Sequence, residues 1–177
     1  VNREFKALQY LDSHIGPLWC CPRPIAQILD HAIIIMEYKP GIVLGKMFWD
    51  YIKWGTISRF YLIKLKSLIR DIATIISKLQ ELACDPSKLV IADEYWYYAF
   101  LNQQLEELSH LGVRLELLDS IRDKVKGSLH SILVEENRCF QHTDLYFNNI
   151  IHFDYTYCIL DLPNACWGTR YWDISHL

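Results

Sequence analysis

This chain has no glycine-rich phosphate loop: its seven glycines are scattered, which excludes a P-loop or dinucleotide-type phosphate cradle within these residues. Long apolar runs are also absent. The longest, near Ile33 to Met36, is far too short to cross a bilayer, and no charged-then-apolar signal arrangement opens the chain. The expected setting is cytoplasmic, with no membrane partner. A basic excess is missing as well, since 18 Lys and Arg face 21 Asp and Glu for a formal charge of −3 and a pI near 6.2. Bulk attraction to nucleic acid is thereby excluded. Neither a Gly-x-Ser-x-Gly elbow nor a paired-His zinc motif occurs, so the usual hydrolase signatures are lacking. Cysteine is not scarce, but Cys20, Cys21, Cys84, Cys139, Cys158 and Cys166 show no metal-ligand spacing and lie partly in apolar strands, so most are expected to be buried free thiols. His14, His31, His110, His130, His152 and His176 likewise lack paired metal spacing and read as structural or solvent-facing.

What is present is apolar and aromatic: 51% and 14% of the 177 residues, enough for a substantial core in one domain or two small lobes. Phe5, Leu8 and Leu11 predict a helix over residues 2–11. Leu65, Leu68, Ile69, Ile72, Ile75, Ile76, Leu79 and Leu82 predict a long helix within residues 60–83, stopped at Asp85-Pro86-Ser87. Two further helices are expected over about 93–110 and 115–134. The run Tyr95-Trp96-Tyr97-Tyr98 points in several directions on such a helix, so some rings must pack inward while others line a surface.

The chemistry is concentrated in His142-Thr143-Asp144-Leu145-Tyr146-Phe147-Asn148-Asn149, followed by Asp161 and Asp173. Asp144 and Asn149 stand five residues apart, and Asp161 follows Asn149 by twelve. Between them, Ile150 to Phe153 and Tyr157 to Leu160 bracket a polar turn at residues 154–156, the pattern of a β-hairpin. Such a hairpin returns Asp161 beside the loop. Phosphoryl transfer asks a protein for positioning and charge neutralisation, and so needs a carboxylate beside the attacking hydroxyl and hard oxygen ligands for Mg²⁺. Asp144 suits the first task; Asn149 and Asp161 suit the second, since magnesium keeps waters and needs few protein ligands.

These residues resemble the aminoglycoside phosphotransferase and choline kinase family, within the protein-kinase-like superfamily. The shared pattern is His-x-Asp, an Asn five residues later, an apolar hairpin, a metal-binding Asp and a further Asp. The resemblance implies an α+β, protein-kinase-like fold with a partial small lobe and a mainly helical large lobe. It implies Asp144 as catalytic base or hydroxyl-orienting residue, Asn149 and Asp161 as magnesium ligands, and His142 and Asp173 as supports of the loop. One departure is Asn148, where the family often has Gly; Asn tolerates the left-handed backbone expected there.

Upstream, residues 32–41 read as a buried strand ending in a Pro-Gly turn. By resemblance this is the last small-lobe strand and hinge, with the Glu37 carbonyl and Lys39 amide pairing the adenine edge and Met36 lining the rear of the pocket. Glu4 resembles the helix glutamate that pairs with a strand lysine. That lysine and its glycine-rich loop are expected before Val1, and closing helices after Leu177, so the chain is expected to be the central part of a longer enzyme, weakly active or inactive by itself. The expected division is a partial small lobe and hinge over 1–41 and a helical large lobe over 42–177.

The expected reaction is transfer of the γ-phosphoryl group of ATP, or GTP, with Mg²⁺, to a hydroxyl of a small-molecule acceptor. The alternative is a catalytically silent kinase-like binding or scaffold module. A protein kinase is disfavoured, because Asp161-Leu162-Pro163 replaces the Asp-Phe-Gly of that group. The acceptor, any role in antibiotic resistance and the oligomeric state stay open.

Overall fold

The computed structural model describes residues 2–56, 58–134 and 138–175; Val1, His176 and Leu177 lie outside them. Helix α1 (Asn2–Asp12) leads to strands β1 (Trp19–Cys20), β2 (Pro24–Ile28), β3 (Ile33–Met36) and β4 (Ile42–Val43). Four long helices follow: α2 (Leu44–Gly55), α3 (Arg59–Gln80), α4 (Glu94–His110) and α5 (Leu115–Ile132). Strands β5 (Arg138–Gln141), β6 (Ile150–Phe153), β7 (Thr156–Ile159) and β8 (Cys166–Thr169) and a short helix α6 (Tyr171–Ser175) complete the described residues. The α+β architecture is thus largely helical.

Helix α3 forms where its apolar periodicity predicts, and it buries Leu68, Ile72, Ile75, Ile76 and Leu79 along one face. Leu8 and Leu11 of α1 join the same cluster with Phe140, Leu145, Ile150, Ile159 and Trp167, so the helix that carries Glu4 and the loop that carries Asp144 rest on one core. Helix α4 starts at Asp93, whose carboxylate accepts the Trp96 N–H at 2.9 Å. Such an N-cap contributes about 1 kcal/mol. Tyr97 is buried and Tyr95 exposed, as expected from consecutive aromatics on a helix.

The hairpin is β6–β7, joined through Asp154 and Tyr155 at φ 43° and 64°, the left-handed pair of a type I′ turn. Its register pairs Ile150 with Ile159. The hairpin is the centre of a four-stranded sheet in the order β1-β7-β6-β4. Strands β5 and β8 pair antiparallel from Arg138 opposite Thr169 to Gln141 opposite Cys166. None of the six cysteines forms a disulfide, and all but Cys84 are buried.

Two expectations are corrected. Residues 33–36 do form a strand, but it is not a buried one: Ile33 and Ile35 are 46% and 43% exposed. Among the described residues it pairs with β2 alone in a two-stranded ribbon, which leaves one of its faces to solvent. Asn148 does not supply a left-handed turn, because the loop closes through a 3₁₀ turn over Phe147–Asn149. Its side-chain oxygen instead lies against Gly45, where a β-carbon would collide with it. Helix α2 had no sequence reading at all. Its N-cap is Val43, with no side-chain cap hydrogen bond, so the usual start signal is missing.

Candidate active site

The segment from His142 to Asn149 is a loop held from both ends. His142, fully buried, donates from Nε2 to the Leu160 carbonyl at 2.8 Å and accepts the Asp144 N–H at Nδ1 at 3.3 Å. Both contacts require the neutral Nε2–H tautomer. Burial holds the His142 pKa below its ordinary value, outweighing the nearby carboxylates of Asp173, Asp144 and Asp161. Asp173 then clamps the next turn: its carboxylate accepts the His142 N–H at 2.8 Å and the Thr143 N–H at 2.9 Å. These are charge-assisted bonds, stronger than neutral ones. Thr143 takes φ 76°, a costly conformation for a β-branched residue. It is fixed there by Asp173 on its amide and by the Trp172 indole N–H, which donates to its carbonyl at 3.1 Å.

Downstream, the carboxamide Nδ2 of Asn149 donates to the Asp144 carbonyl at 2.9 Å and to its carboxylate Oδ2 at 3.1 Å. With both N–H groups so engaged, Asn149 Oδ1 is the lone-pair donor left for a cation. The Asn149 carbonyl accepts the Leu160 N–H at 2.8 Å. The residue after Leu160 is Asp161, at φ 61°, so the hairpin sets Asp161 beside the Asn149 end of the loop. Glu4 of α1 faces this end: burial and then the Asp161 carboxylate raise its pKa, while the Leu162 backbone amide pulls the other way.

Asp144, Asn149, His142, Asp173 and Asp161 are therefore brought together, with Glu4 next to Asp161. Met36 ends β3, and Glu37 and Lys39 follow it at the end of the β2–β3 ribbon. The Lys39 ammonium sits 3.0 Å from the Glu37 carboxylate and 5.7 Å over the Phe153 ring of the hairpin, which ties this segment to β6. Among the described residues, neither the Glu37 carbonyl nor the Lys39 amide has a backbone hydrogen-bond partner. Glu94, Glu106, Glu107 and Glu116 are exposed on α4 and α5. Trp172 escaped sequence reading; its only signal was adjacency to Asp173.

A magnesium ion fits the donor set rather than a closed cage. Asn149 Oδ1 and the exposed Asp161 carboxylate are hard oxygens, and among the described residues no three His, Cys, Asp or Glu cluster as ligands. Magnesium keeps waters and shares its shell with phosphates, so two protein oxygens would suffice to hold it. A cavity of about 550 Å³ is lined mainly by apolar residues, among them Phe48, Ile72, Ile76, Phe147 and Ile174, with Ser77 and Gln80 as its polar members and no charged side chain among the described residues. Among the described residues, no helix is long and apolar enough to cross a membrane.

The α+β fold matches the kinase-like fold of the aminoglycoside phosphotransferases. The chain belongs to the phosphotransferase enzyme family (APH), whose model matches residues 1–177. Among solved structures it is similar to the aminoglycoside phosphotransferase APH(2'')-Ib in its ADP-bound form, at 18% identity and TM-score 0.68, covering 97% of this chain and 57% of that one. It is similar to the streptomycin–ATP–APH(2'')-IIa ternary complex at 17% identity and TM-score 0.67, with 97% and 57% covered. The amicoumacin kinase hAmiN, in complex with AMP-PNP, Ca²⁺ and Ami, follows at 15% identity and TM-score 0.56, with 99% and 51% covered. The chain thus spans a little over half the length of these structures. No curated protein matches it.

The buried neutral His142 carries a pH prediction. Its folded pKa lies below the ordinary 6.5, so its contribution to stability is complete above about 6.5 and is lost as pH falls from there through the lowered folded value. The melting temperature should drop on acidification below pH 6.5, and His142→Asn should flatten that dependence. Equal slopes in the two proteins would show that His142 is not the titrating group.

Proposed function

We propose that the protein is a small-molecule kinase, moving the γ-phosphoryl group of ATP, or of GTP, to an acceptor hydroxyl. The observation that carries this reading is the closed hydrogen-bond circuit from Asp173 through His142 and Asp144 to Asn149 and Leu160, which holds the Asp144 carboxylate against Asn149, with Asp161 next in the chain after Leu160. Asp144 orients the acceptor hydroxyl and takes up its proton as the new O–P bond forms and the bond to the β-phosphate oxygen breaks. Asn149 fixes the Asp144 carboxylate through its amide N–H. Asn149 Oδ1 and Asp161 would hold Mg²⁺, which supplies charge neutralisation at the phosphates. The Glu37 carbonyl and Lys39 amide would pair the adenine edge, with Met36 beside it. His142, Asp173 and Glu4 act as supports. The nucleotides and antibiotics named with the solved relatives favour a nucleotide donor and a small-molecule acceptor.

The test uses the full-length protein with Mg·ATP and Mg·GTP against a panel of aminoglycosides, choline, amino alcohols and sugars. Acceptor-dependent release of nucleoside diphosphate, with labelled phosphate recovered in the acceptor, is expected for at least one class. Magnesium-dependent nucleotide binding without transfer to any acceptor would transfer the reading to a silent module.

A further inference from the structure

We propose that Tyr97 is a positioning residue for the catalytic loop, acting through Gln141 and Thr169 on the Asp173 clamp. The inference rests on the phosphotransferase reading but concerns a helix that touches no reacting atom. Tyr97 belongs to the aromatic run of α4 and is 5% exposed. Its hydroxyl donates to Gln141 Oε1 at 2.8 Å and accepts the Thr169 N–H at 2.9 Å. Gln141 ends β5 and immediately precedes His142; Thr169 ends β8, just before the helix that carries Asp173. One hydroxyl therefore joins the strand that enters the loop to the strand that enters its clamp.

The surroundings are built for this contact. Gly168 leaves the space, since a β-carbon there would collide with both the Gln141 carboxamide and the Tyr97 hydroxyl. Gln141 Nε2 and Thr169 Oγ1 are buried without a hydrogen-bond partner among the described residues, so little else nearby substitutes for the phenol. Burial also drives the Tyr97 pKa well up, and the group stays a neutral donor. A second arm starts from the same helix face. Trp172 packs 5.4 Å from Trp96, 5.4 Å from Tyr97 and 4.7 Å from Phe100, centroid to centroid, and its N–H holds the Thr143 carbonyl. Helix α4 thus sets both sides of the strained residue before Asp144, and a small displacement there is felt strongly at the reacting atoms.

Tyr97→Phe in the full-length protein keeps the ring and removes the junction. Hydrogen exchange at the His142 and Thr143 amides, the two donors to Asp173, should quicken about tenfold or more, while Ile72 and Ile75 in α3 exchange as before. The kcat for nucleotide turnover should fall by about 10- to 100-fold with nucleotide KM unchanged. Unchanged exchange at both amides overturns the proposal, and so does a uniform acceleration that includes α3. The double variant Tyr97→Phe/Gln141→Met removes both polar side chains; it should regain melting temperature without regaining slow exchange. Recovery of both would mean a folding role only. If the wild-type protein turns over no nucleotide, the phosphotransferase reading fails, while the exchange measurement still decides the role of Tyr97.

Discussion

Asp161→Asn in the full-length protein is expected to abolish Mg²⁺-dependent nucleotide turnover, a loss on the order of 10³-fold or more, since metal neutralisation of phosphate charge contributes several kcal/mol. Asparagine is the better substitution because Asp161 sits at φ 61°, where alanine adds backbone strain of about 1–2 kcal/mol and asparagine is tolerated. Any loss is then chemical rather than conformational. Stability should not fall, because removing the Asp161 charge relieves the repulsion that helps raise the Glu4 pKa. Melting temperature and turnover are therefore expected to move independently. Normal turnover in this variant would sink the metal assignment.

Asp144→Asn is expected to lower kcat by about 10²- to 10⁴-fold, the range of a positioned general base, while leaving nucleotide affinity nearly unchanged. The backbone carbonyl of residue 144 still accepts from Asn149, as it does now at 2.9 Å. A side-chain oxygen remains available for the second contact, now 3.1 Å. The loop should therefore persist while the charge and basicity beside the acceptor disappear. Titration with nucleotide and single-turnover kinetics separate the two quantities. A parallel loss of nucleotide binding would assign Asp144 to holding the loop rather than to the chemistry.

The hairpin after the His142–Asn149 loop was legible in the sequence because its pairing is local: its turn and apolar flanks fix the register that brings Leu160 to Asn149. Asp173 was legible as a loop support only through resemblance; its bonds to the His142 and Thr143 amides span 31 and 30 residues. Local periodicity likewise revealed α3, α4 and α5. What stayed hidden depends on distant partners. Tyr97 meets Gln141 across 44 residues and Thr169 across 72, and no local pattern marks a tyrosine hydroxyl that will find them. The apolar run at residues 33–36 looked buried because hydrophobicity reports a preference, whereas burial depends on which neighbouring strands cover the ribbon. Asn148 shows the same limit: its residue type allowed a left-handed turn, but Gly45 on a separate helix made room for a different closure.

The β2–β3 ribbon also presents an oily surface to solvent. Ile25, Ile28, Leu29, Ile33 and Ile35 are 60%, 42%, 61%, 46% and 43% exposed, on a hairpin that pairs with no third strand among the described residues. Oily side chains on a two-stranded hairpin offer both adhesive area and a template for strand addition. Prepared by itself, the chain should self-associate through this ribbon, and a charged residue at Ile33 or Ile35 is the substitution that keeps it dispersed without touching the loop at Asp144.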